Sequence, residues 1–250
     1  MADLQLKPQV YVDDRPSETF DRYYDWASAH GPDWVYTLAR LLITPVCLLF
    51  YRARCVDAPQ VPRLGPAIIA PNHFSAMDHF FCGLFLRRRV SFMAKSQLFR
   101  GGLAWILRHG GAFPVQRGRH DERAIATALA VLARGGVVVI YPEGGRSRSG
   151  RIGERARAGV GRLALESGAP VIPVAIHGSE RARNWKRLEF PRVTVRYGEP
   201  LRYERVSSST REAQQAVADE TLERVRALHA SLQRPVRLRS RLTAAPHRPR

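Results

Sequence analysis

A histidine and an aspartate five positions apart are the residues of this sequence best suited to chemistry. His73 follows a short apolar run at residues 67–70, and Asp78 stands three residues after Ser75. An aspartate that hydrogen-bonds one imidazole nitrogen fixes the tautomer and leaves the other nitrogen to accept a proton from a hydroxyl. The spacing alone is a weak signal, because Asp78 could be only a helix cap and His73 only a turn residue. Catalysis requires elements that bring the two side chains together.

The residues around this pair predict a strand, a turn and a helix. Residues 67–70 are apolar and bounded by prolines, which indicates a buried strand. Ser75 and Asp78 have the spacing of a capping box ahead of the apolar residues 79–86, with Ser75 at the cap. Helical side chains lean toward the N-terminus, so Asp78 would point back at His73. Backbone N–H groups near Ser75 would then be candidate oxyanion donors.

The rest of the chain alternates between predicted strands and helices. The predicted strands are residues 90–94, 112–115, 137–140, 171–176 and 193–197, and the predicted helices are residues 96–107, 125–134, 154–167 and 210–233. This pattern predicts an α/β fold, a single domain with a largely parallel mixed sheet flanked by helices. Ligands of such sheets bind at the carboxyl ends of the strands, where His73, Lys95, Arg117 and Glu143 all fall.

An apolar segment at residues 34–51 precedes this domain and is interrupted by Arg40 and Pro45. Its length leaves three interpretations open: a helix lying in the membrane interface, a true span, or a buried core helix. We predict three parts: an N-terminal segment with a membrane-associating helix at residues 1–54, a catalytic domain at residues 55–233 and a basic disordered tail at residues 234–250.

The composition favours an anionic partner. The net charge is +18, with 40 Lys and Arg residues against 22 Asp and Glu residues. A membrane surface with anionic lipids fits this charge, whereas no recognisable module for binding nucleic acid is present. The three cysteines form no pairable framework, and the N-terminus has no signal peptide, which indicates the cytoplasmic side. No further ligand stands at metal-binding spacing from His73, so we expect no metal.

Four blocks of sequence resemble one known family. Residues 72–78 resemble the HxxxxD motif of the glycerolipid acyltransferases that include lysophosphatidate acyltransferase. Residues 111–117, 141–147 and 171–174 are similar to that family's second, third and fourth blocks, in the same order and at similar spacing. Two positions depart from the family pattern: Tyr141 replaces the usual Phe, and Gly145 replaces the usual Thr. The second departure removes a hydroxyl from the acceptor loop and leaves the identity of the acceptor open.

The resemblance implies an O-acyltransferase that moves a fatty acyl group from acyl-CoA or acyl carrier protein to the sn-2 hydroxyl of lysophosphatidate, without a cofactor. It makes His73 and Asp78 the catalytic residues. It implies that the substrate is contacted by Lys95, Phe113, Arg117, Glu143, Gly144, Gly145 and Arg146. Each cation among these could instead be a surface charge, and Phe113 could belong to the core. Two alternatives stay open: another acceptor, such as glycerol 3-phosphate, another lysolipid or a glycolipid, and a non-catalytic protein that binds anionic lipid. We expect a monotopic or peripheral protein at the cytoplasmic face of the cell membrane.

Overall fold

The fold is a seven-stranded sheet with helices on both faces. The structure, a computed structural model, describes residues 13–57, 60–116, 121–147, 149–182 and 189–233. The strands are β1 Arg54–Val56, β2 Ala67–Pro71, β3 Ser91–Lys95, β4 Ala112–Val115, β5 Val137–Val139, β6 Val171–His177 and β7 Thr194–Tyr197. The helices are α1 Asp21–Ala29, α2 Trp34–Leu49, α3 Asp78–Leu84, α4 Gly101–His109, α5 Glu122–Ala133, α6 Gly159–Ser167 and α7 Arg211–Gln233. Short 3-10 turns occupy Ser17–Phe20 and Ser96–Leu98.

The order of the strands across the sheet is β1-β7-β6-β2-β5-β3-β4. Every neighbouring pair in this sheet is parallel except β6 and β7, which are antiparallel. This confirms the predicted largely parallel mixed sheet. Because β2, β5, β3 and β4 run in one direction, their carboxyl ends meet at the same edge, and the segments that follow them gather there.

Neighbouring residues of the central strands face opposite sides of the sheet, as the pleat requires. Ile69 and Val139 contribute to the core beneath α2 and α3, whereas Ile68 and Val138 contribute to the core beneath α5, α6 and α7. The strands therefore read as continuous apolar runs, because both of their faces are buried.

The N-terminal helices pack on the same sheet. Phe20, Tyr23 and Tyr24 form a third buried cluster with Phe99. In α2, Val35, Tyr36 and Cys47 face the core, while the opposite side leaves large apolar side chains exposed. Within the described ranges, no helix is both long enough and apolar enough to cross a membrane. The predicted domain boundary between residues 54 and 55 falls inside β1, a strand that the sequence reading missed. The predicted tail at residues 234–250 lies outside the described residues.

Three predicted helix starts are wrong. The helix predicted from Ser75 begins at Asp78, the helix predicted from residue 154 begins at Gly159, and Ser96 opens a 3-10 turn instead of α4. In each case polar residues that could cap a helix lie in a loop that precedes it. These loops adjoin the site, where side-chain and backbone contacts to other segments hold the chain in non-helical conformations.

Candidate active site

The corner after β2 is fixed to the neighbouring strand by a side chain. The Asn72 amide donates to the Ile176 carbonyl at 3.0 Å, and its oxygen accepts the Ile176 N–H at 2.7 Å. Asn72 thus continues the pairing with β6 after the backbone has turned away, and it is fully buried. Two hydrogen bonds of this kind hold the next residue, His73, in a defined place at the end of the central strand.

His73 and Asp78 are in contact. The His73 Nδ1 atom lies 3.0 Å from Asp78 Oδ2, and both side chains are almost entirely buried. Because an ionised aspartate can only accept, Nδ1 carries the proton in this pair and Nε2 is the nitrogen that can act as a base. The predicted meeting of the two side chains is confirmed, although the helix starts two residues later than expected, with Met77 and not Ser75 at the cap position.

Asp78 also organises the turn that carries His73. Its Oδ2 atom accepts the N–H groups of Phe74 at 2.6 Å and Ser75 at 2.7 Å, so one oxygen receives three donors. The Asp78 carboxylate thus reaches back to the N–H groups before the helix, as the acidic residue of a capping box does. Ser75 Oγ accepts the Met77 N–H at 3.2 Å. Asp78 thus uses the N–H groups of Phe74 and Ser75, so these two do not serve as oxyanion donors, and the expectation that N–H groups near Ser75 do so stays a prediction for the others.

Glu143 ties the loop after β5 to the same corner. Its Oε1 atom accepts the His73 N–H at 3.0 Å, and its Oε2 atom accepts the Gly153 N–H at 2.9 Å. Burial raises the pKa of Glu143, and these two donors oppose the rise without cancelling it. The Ser147 N–H donates to the His73 carbonyl at 2.8 Å. Glu143 is therefore a positioning residue that joins two loops, whereas the resemblance implies a contact with substrate, which stays a prediction.

A tyrosine and a second histidine surround the His73 ring. The Tyr141 ring stacks on His73 with centroids 3.9 Å apart, and its hydroxyl lies 2.9 Å from His79 Nδ1. Burial, reinforced by the charges of Asp78 and Cys82, raises the pKa of Tyr141 well above its ordinary value. The phenol therefore stays protonated, and its hydroxyl is hydrogen-bonded to His79 Nδ1. In the sequence Tyr141 stands out only as a departure from the family pattern, and no motif marks His79.

Two cavities open beside this corner. One, the loop cleft, has a volume of about 470 Å³ and is lined by Gly144, Gly145, Arg146 and Ser147 on one side, and by residues of the 151–157 segment on the other. The other, the apolar pocket, has a volume of about 340 Å³ and lies between α2, α3, α4 and the end of β3. His79 lines the apolar pocket, and Glu143, which accepts the His73 N–H, lines the loop cleft, so a neighbour of His73 reaches each cavity.

The remaining predicted site residues lie in different places. Lys95 ends β3 at the same edge of the sheet as His73. Arg146 is exposed at the loop cleft. Arg117 lies outside the described residues. Phe113 has no exposed surface and packs in the core, so the predicted contact of Phe113 with substrate is wrong. The neighbouring residue Ala112 lines the apolar pocket instead.

Among the described residues, no group of three or more His, Cys, Asp and Glu side chains could hold a metal ion. The expectation that the chain needs no metal or bound cofactor stays a prediction. Asn72 and His79 are functional neighbours that the sequence reading missed. The available signal was their adjacency to the two motif residues, His73 and Asp78.

Comparison with known proteins gives the same family as the resemblance. A model of the acyltransferase family matches residues 52–177, which is 126 of the 250 residues. In the solved structure of the 1-acyl-sn-glycerophosphate acyltransferase PlsC from Thermotoga maritima, 90% of that chain superposes on 87% of this one with a TM-score of 0.60. At 21% sequence identity, this likeness shows the fold.

Three curated proteins are similar over about half of this chain. A chloroplastic 1-acyl-sn-glycerol-3-phosphate acyltransferase from Brassica napus is 27% identical over 52% of the chain, and one from Bacillus subtilis is 28% identical over 54%. A lyso-ornithine lipid O-acyltransferase from Pseudomonas aeruginosa is 36% identical over 48%. The matches cover 38%, 66% and 45% of these three proteins respectively, less than two thirds of the length of each.

Proposed function

Because the chain belongs to the acyltransferase family, we propose that it moves an acyl group from a thioester donor to the sn-2 hydroxyl of lysophosphatidate. The observation that carries this proposal is the buried contact of 3.0 Å between His73 and Asp78 at the end of the central strand. Relatives named as 1-acyl-sn-glycerol-3-phosphate acyltransferases support the choice of acceptor.

The proposed mechanism uses His73 first as a base and then as an acid. His73 Nε2 takes the proton of the acceptor hydroxyl while the oxygen attacks the thioester carbonyl carbon. Asp78 holds Nδ1–H and stabilises the imidazolium that forms. The tetrahedral intermediate then collapses, the carbon–sulfur bond breaks, and the thiolate takes the proton from Nε2. The one proton that moves passes from the acceptor hydroxyl through Nε2 to the thiolate, and no covalent acyl-enzyme is required.

The two cavities fit the two ends of such a reaction. The loop cleft presents Arg146, and a guanidinium group suits the phosphate of lysophosphatidate. Ser147 follows Arg146, and its N–H donates to the His73 carbonyl. The arginine proposed to bind the phosphate is therefore next in sequence to a residue that contacts the catalytic turn. The apolar pocket, on the other side of His79, suits the acyl chain of the donor. Lys95 and Arg117 stay proposed phosphate contacts.

A panel of acceptors tests the substrate. Thiol release from hexadecanoyl-CoA would be followed with lysophosphatidate, glycerol 3-phosphate and a lyso-ornithine lipid, which has no phosphate. We expect the highest kcat/KM with lysophosphatidate and an acyl product at the sn-2 position. A preference for the lyso-ornithine lipid would assign the acceptor suggested by the relative with 36% identity. Absence of thiol release with every acceptor would refute the enzyme proposal and favour a lipid-binding protein.

We further propose that the protein lies on the cytoplasmic face of the cell membrane as a monotopic protein. The outer side of α2 exposes Leu41, Leu42 and Leu49 by 68%, 64% and 73%. Trp34 and Trp105 continue this surface onto α4, with their ring centroids 6.1 Å apart. Aromatic rings suit the headgroup level, and each leucine transferred from water contributes about 1.5–3 kcal/mol when fully buried.

Replacing leucines of the exposed face tests this placement without removing core residues. Deleting residues 1–51 would also remove buried Phe20 and Tyr24, so a triple Leu41→Gln, Leu42→Gln, Leu49→Gln variant is cleaner. We expect this variant to lose sedimentation with vesicles that contain phosphatidylglycerol while it keeps its activity on a short-chain, water-soluble lysolipid. Leu64→Gln, which changes an exposed leucine of another segment, is the matched control. Recovery of the wild type in the soluble fraction at low salt would contradict the proposal.

A further inference from the structure

A second polar cleft adjoins the loop cleft and shares Glu143, Arg155 and Arg157 with it. It has a volume of about 690 Å³, and its charged and amide side chains are Glu143, Arg155, Arg157, Arg211, Glu212 and Gln215. We call it the arginine cleft. It lies where the segment before α6 meets the first turn of α7, two elements that no block of the family resemblance includes.

The arginine cleft carries three cations, Arg155, Arg157 and Arg211, against the two carboxylates of Glu143 and Glu212. Both oxygens of Glu143 are occupied by backbone N–H groups, and Arg155 acts on the carboxylate of Asp219. The guanidinium groups of Arg157 and Arg211 make no hydrogen bond or ion pair with any residue that the structure describes. The cleft therefore presents two cations to an anion from outside the chain.

The backbone and stem of Arg157 are held in place. Its N–H donates to the Pro142 carbonyl at 2.7 Å. Gly144 has a φ of +68°, and a Cβ atom at that position would lie 2.7 Å from Arg157 Cγ. The glycine thus allows the chain to turn and the arginine stem to pack against the loop after β5. A cation is fixed beside the loop that also holds His73 through Glu143.

The arrangement around His73 has an order. His79, whose ring packs against that of His73, lines the apolar pocket, and Glu143, which accepts the His73 N–H, lines the arginine cleft. A thioester donor has the same order of parts: an apolar chain, the reacting carbonyl, and then an arm that ends in phosphate. Arg146, in the loop cleft, is already assigned to the acceptor.

We propose that the arginine cleft binds the phosphate of the donor's phosphopantetheine arm, through Arg157 and Arg211. This proposal rests on the proposed function and adds the donor subsite to it. Acyl-CoA and acyl carrier protein share this phosphate, so the chemistry of the cleft admits both. The arm runs past Glu143, its thioester meets His73, and the acyl chain enters the apolar pocket.

Three donors with one acyl chain test the proposal: hexadecanoyl-CoA, hexadecanoyl carrier protein and hexadecanoyl-pantetheine, which lacks the phosphate. Arg157→Gln and Arg211→Gln should each raise the KM of a phosphate-bearing donor roughly tenfold or more, the size of one charge-assisted hydrogen bond. The KM for hexadecanoyl-pantetheine should change less than about twofold in both variants. The KM for lysophosphatidate should change less than about twofold in Arg211→Gln, because Arg211 lines the arginine cleft and not the loop cleft, whereas Arg157 lines both. Arg224→Gln removes the same charge from an exposed place on α7 and should leave every KM unchanged.

The possible outcomes distinguish a failure of the donor-phosphate proposal from a failure of the proposed function. A rise with only one of the two phosphate-bearing donors supports the cleft and assigns the source of the phosphate. An equal rise with hexadecanoyl-pantetheine, a rise in the KM for lysophosphatidate alone, or no change with any donor would overturn it. In those cases wild-type turnover still supports the proposed function. Absence of wild-type turnover with all three donors would overturn both proposals.

Discussion

His73 pairs with Asp78 at the end of β2, and His109 pairs with Asp33 where α4 meets the start of α2. The first contact measures 3.0 Å and the second 2.5 Å. The side chains of His73 and Asp78 are 6% and 0% exposed, whereas those of His109 and Asp33 are 13% and 30% exposed. Distance alone would favour the second pair as a catalytic dyad.

The surroundings of the two pairs reverse that ranking. His109 Nε2 lies 3.0 Å from the Arg108 guanidinium, which can only donate, so the nitrogen that would act as base is occupied. Asp33 caps α2 by accepting the Val35 N–H at 2.9 Å. This pair joins two helices. At the other pair, Glu143 accepts the His73 N–H and lines the loop cleft, and His79, whose ring centroid lies 5.3 Å from that of His73, lines the apolar pocket. A histidine and an aspartate in contact become a candidate catalytic site where their immediate neighbours line cavities that admit substrates.

The largest expected difference comes from removing each imidazole. His73→Ala should lower turnover about 100-fold or more, because it removes the general base, while the protein stays folded. His109→Ala should leave turnover within about twofold and lower the melting temperature. Steady-state thiol release and thermal unfolding of both variants measure this. Similar losses of turnover would show that the two pairs do not differ in function.

Replacing Asp78 should lower turnover more than replacing Asp33, as with the two histidines. Asp78→Asn should lower kcat roughly tenfold or more but leave a residual rate, because the amide no longer holds the Nδ1–H tautomer of His73. Asp33→Asn should leave kcat unchanged and lower the free energy of unfolding by less than about 1 kcal/mol, as expected of a partly exposed pair. An Asp78→Asn enzyme as fast as the wild type would remove Asp78 from the mechanism.

Arg146 precedes Ser147, which contacts His73, and Arg108 contacts His109. Only Arg146 should act on substrate. Arg146→Gln should raise the acceptor KM about tenfold or more with a much smaller effect on the donor KM, because it removes a charge-assisted phosphate contact of about 1.5–3 kcal/mol. Arg108→Gln should change neither KM. Initial rates over a grid of both substrates give the four values. Equal rises in both KM values for Arg146→Gln would refute its assignment to the acceptor.

The smallest expected effect concerns His229 of α7, which is buried like His73 but has no hydrogen-bond partner for Nε2 among the described residues. Burial and the neighbouring His177 lower the pKa of His229 below its ordinary value of 6.5, while Glu180 opposes them. The unfolded chain then takes up a proton before the folded one does, so stability falls as the pH drops below about 6.5.

Replacing His229 by Phe should make that fall shallower. The phenyl ring keeps an apolar contact with Phe74, whose ring centroid lies 5.6 Å from that of His229. Melting temperatures at pH 7.5 and pH 5.5 would be compared for the wild type and His229→Phe. An unchanged difference between the two pH values would show that His229 does not contribute to acid sensitivity.

The sequence predicted the sheet well because its strands are buried on both faces. Apolar runs such as residues 137–140 and 171–176 allow little other than a central strand, and Pro114 fits only near an edge, where β4 lies. Helix starts were less accurate. Ser75 and Asp78 have the spacing of a helix cap, but hydrogen bonds to the His73 turn use the same groups, so local patterns could not reveal the true start.

The site was predictable as far as its motifs extend. His73 and Asp78 meet as expected, because the strand and helix on either side leave the two side chains little freedom. Contacts across long sequence separations were not predictable. The bond between Tyr141 and His79 and the position of Arg211 near Glu143 depend on how the strands are ordered, and no local pattern encodes that order.

One measurement tests the central claim, that His73 moves the proton in a direct transfer between two bound substrates. The wild type and His73→Ala would each be mixed with hexadecanoyl-CoA, with and without lysophosphatidate, and free thiol and acylated product would be counted. The account predicts equal amounts of thiol and product in the wild type, no burst of thiol without lysophosphatidate, and less than about a hundredth of the rate in His73→Ala. A thiol burst equal to the enzyme concentration without acceptor, or more than about a tenth of the wild-type rate in His73→Ala, would contradict it.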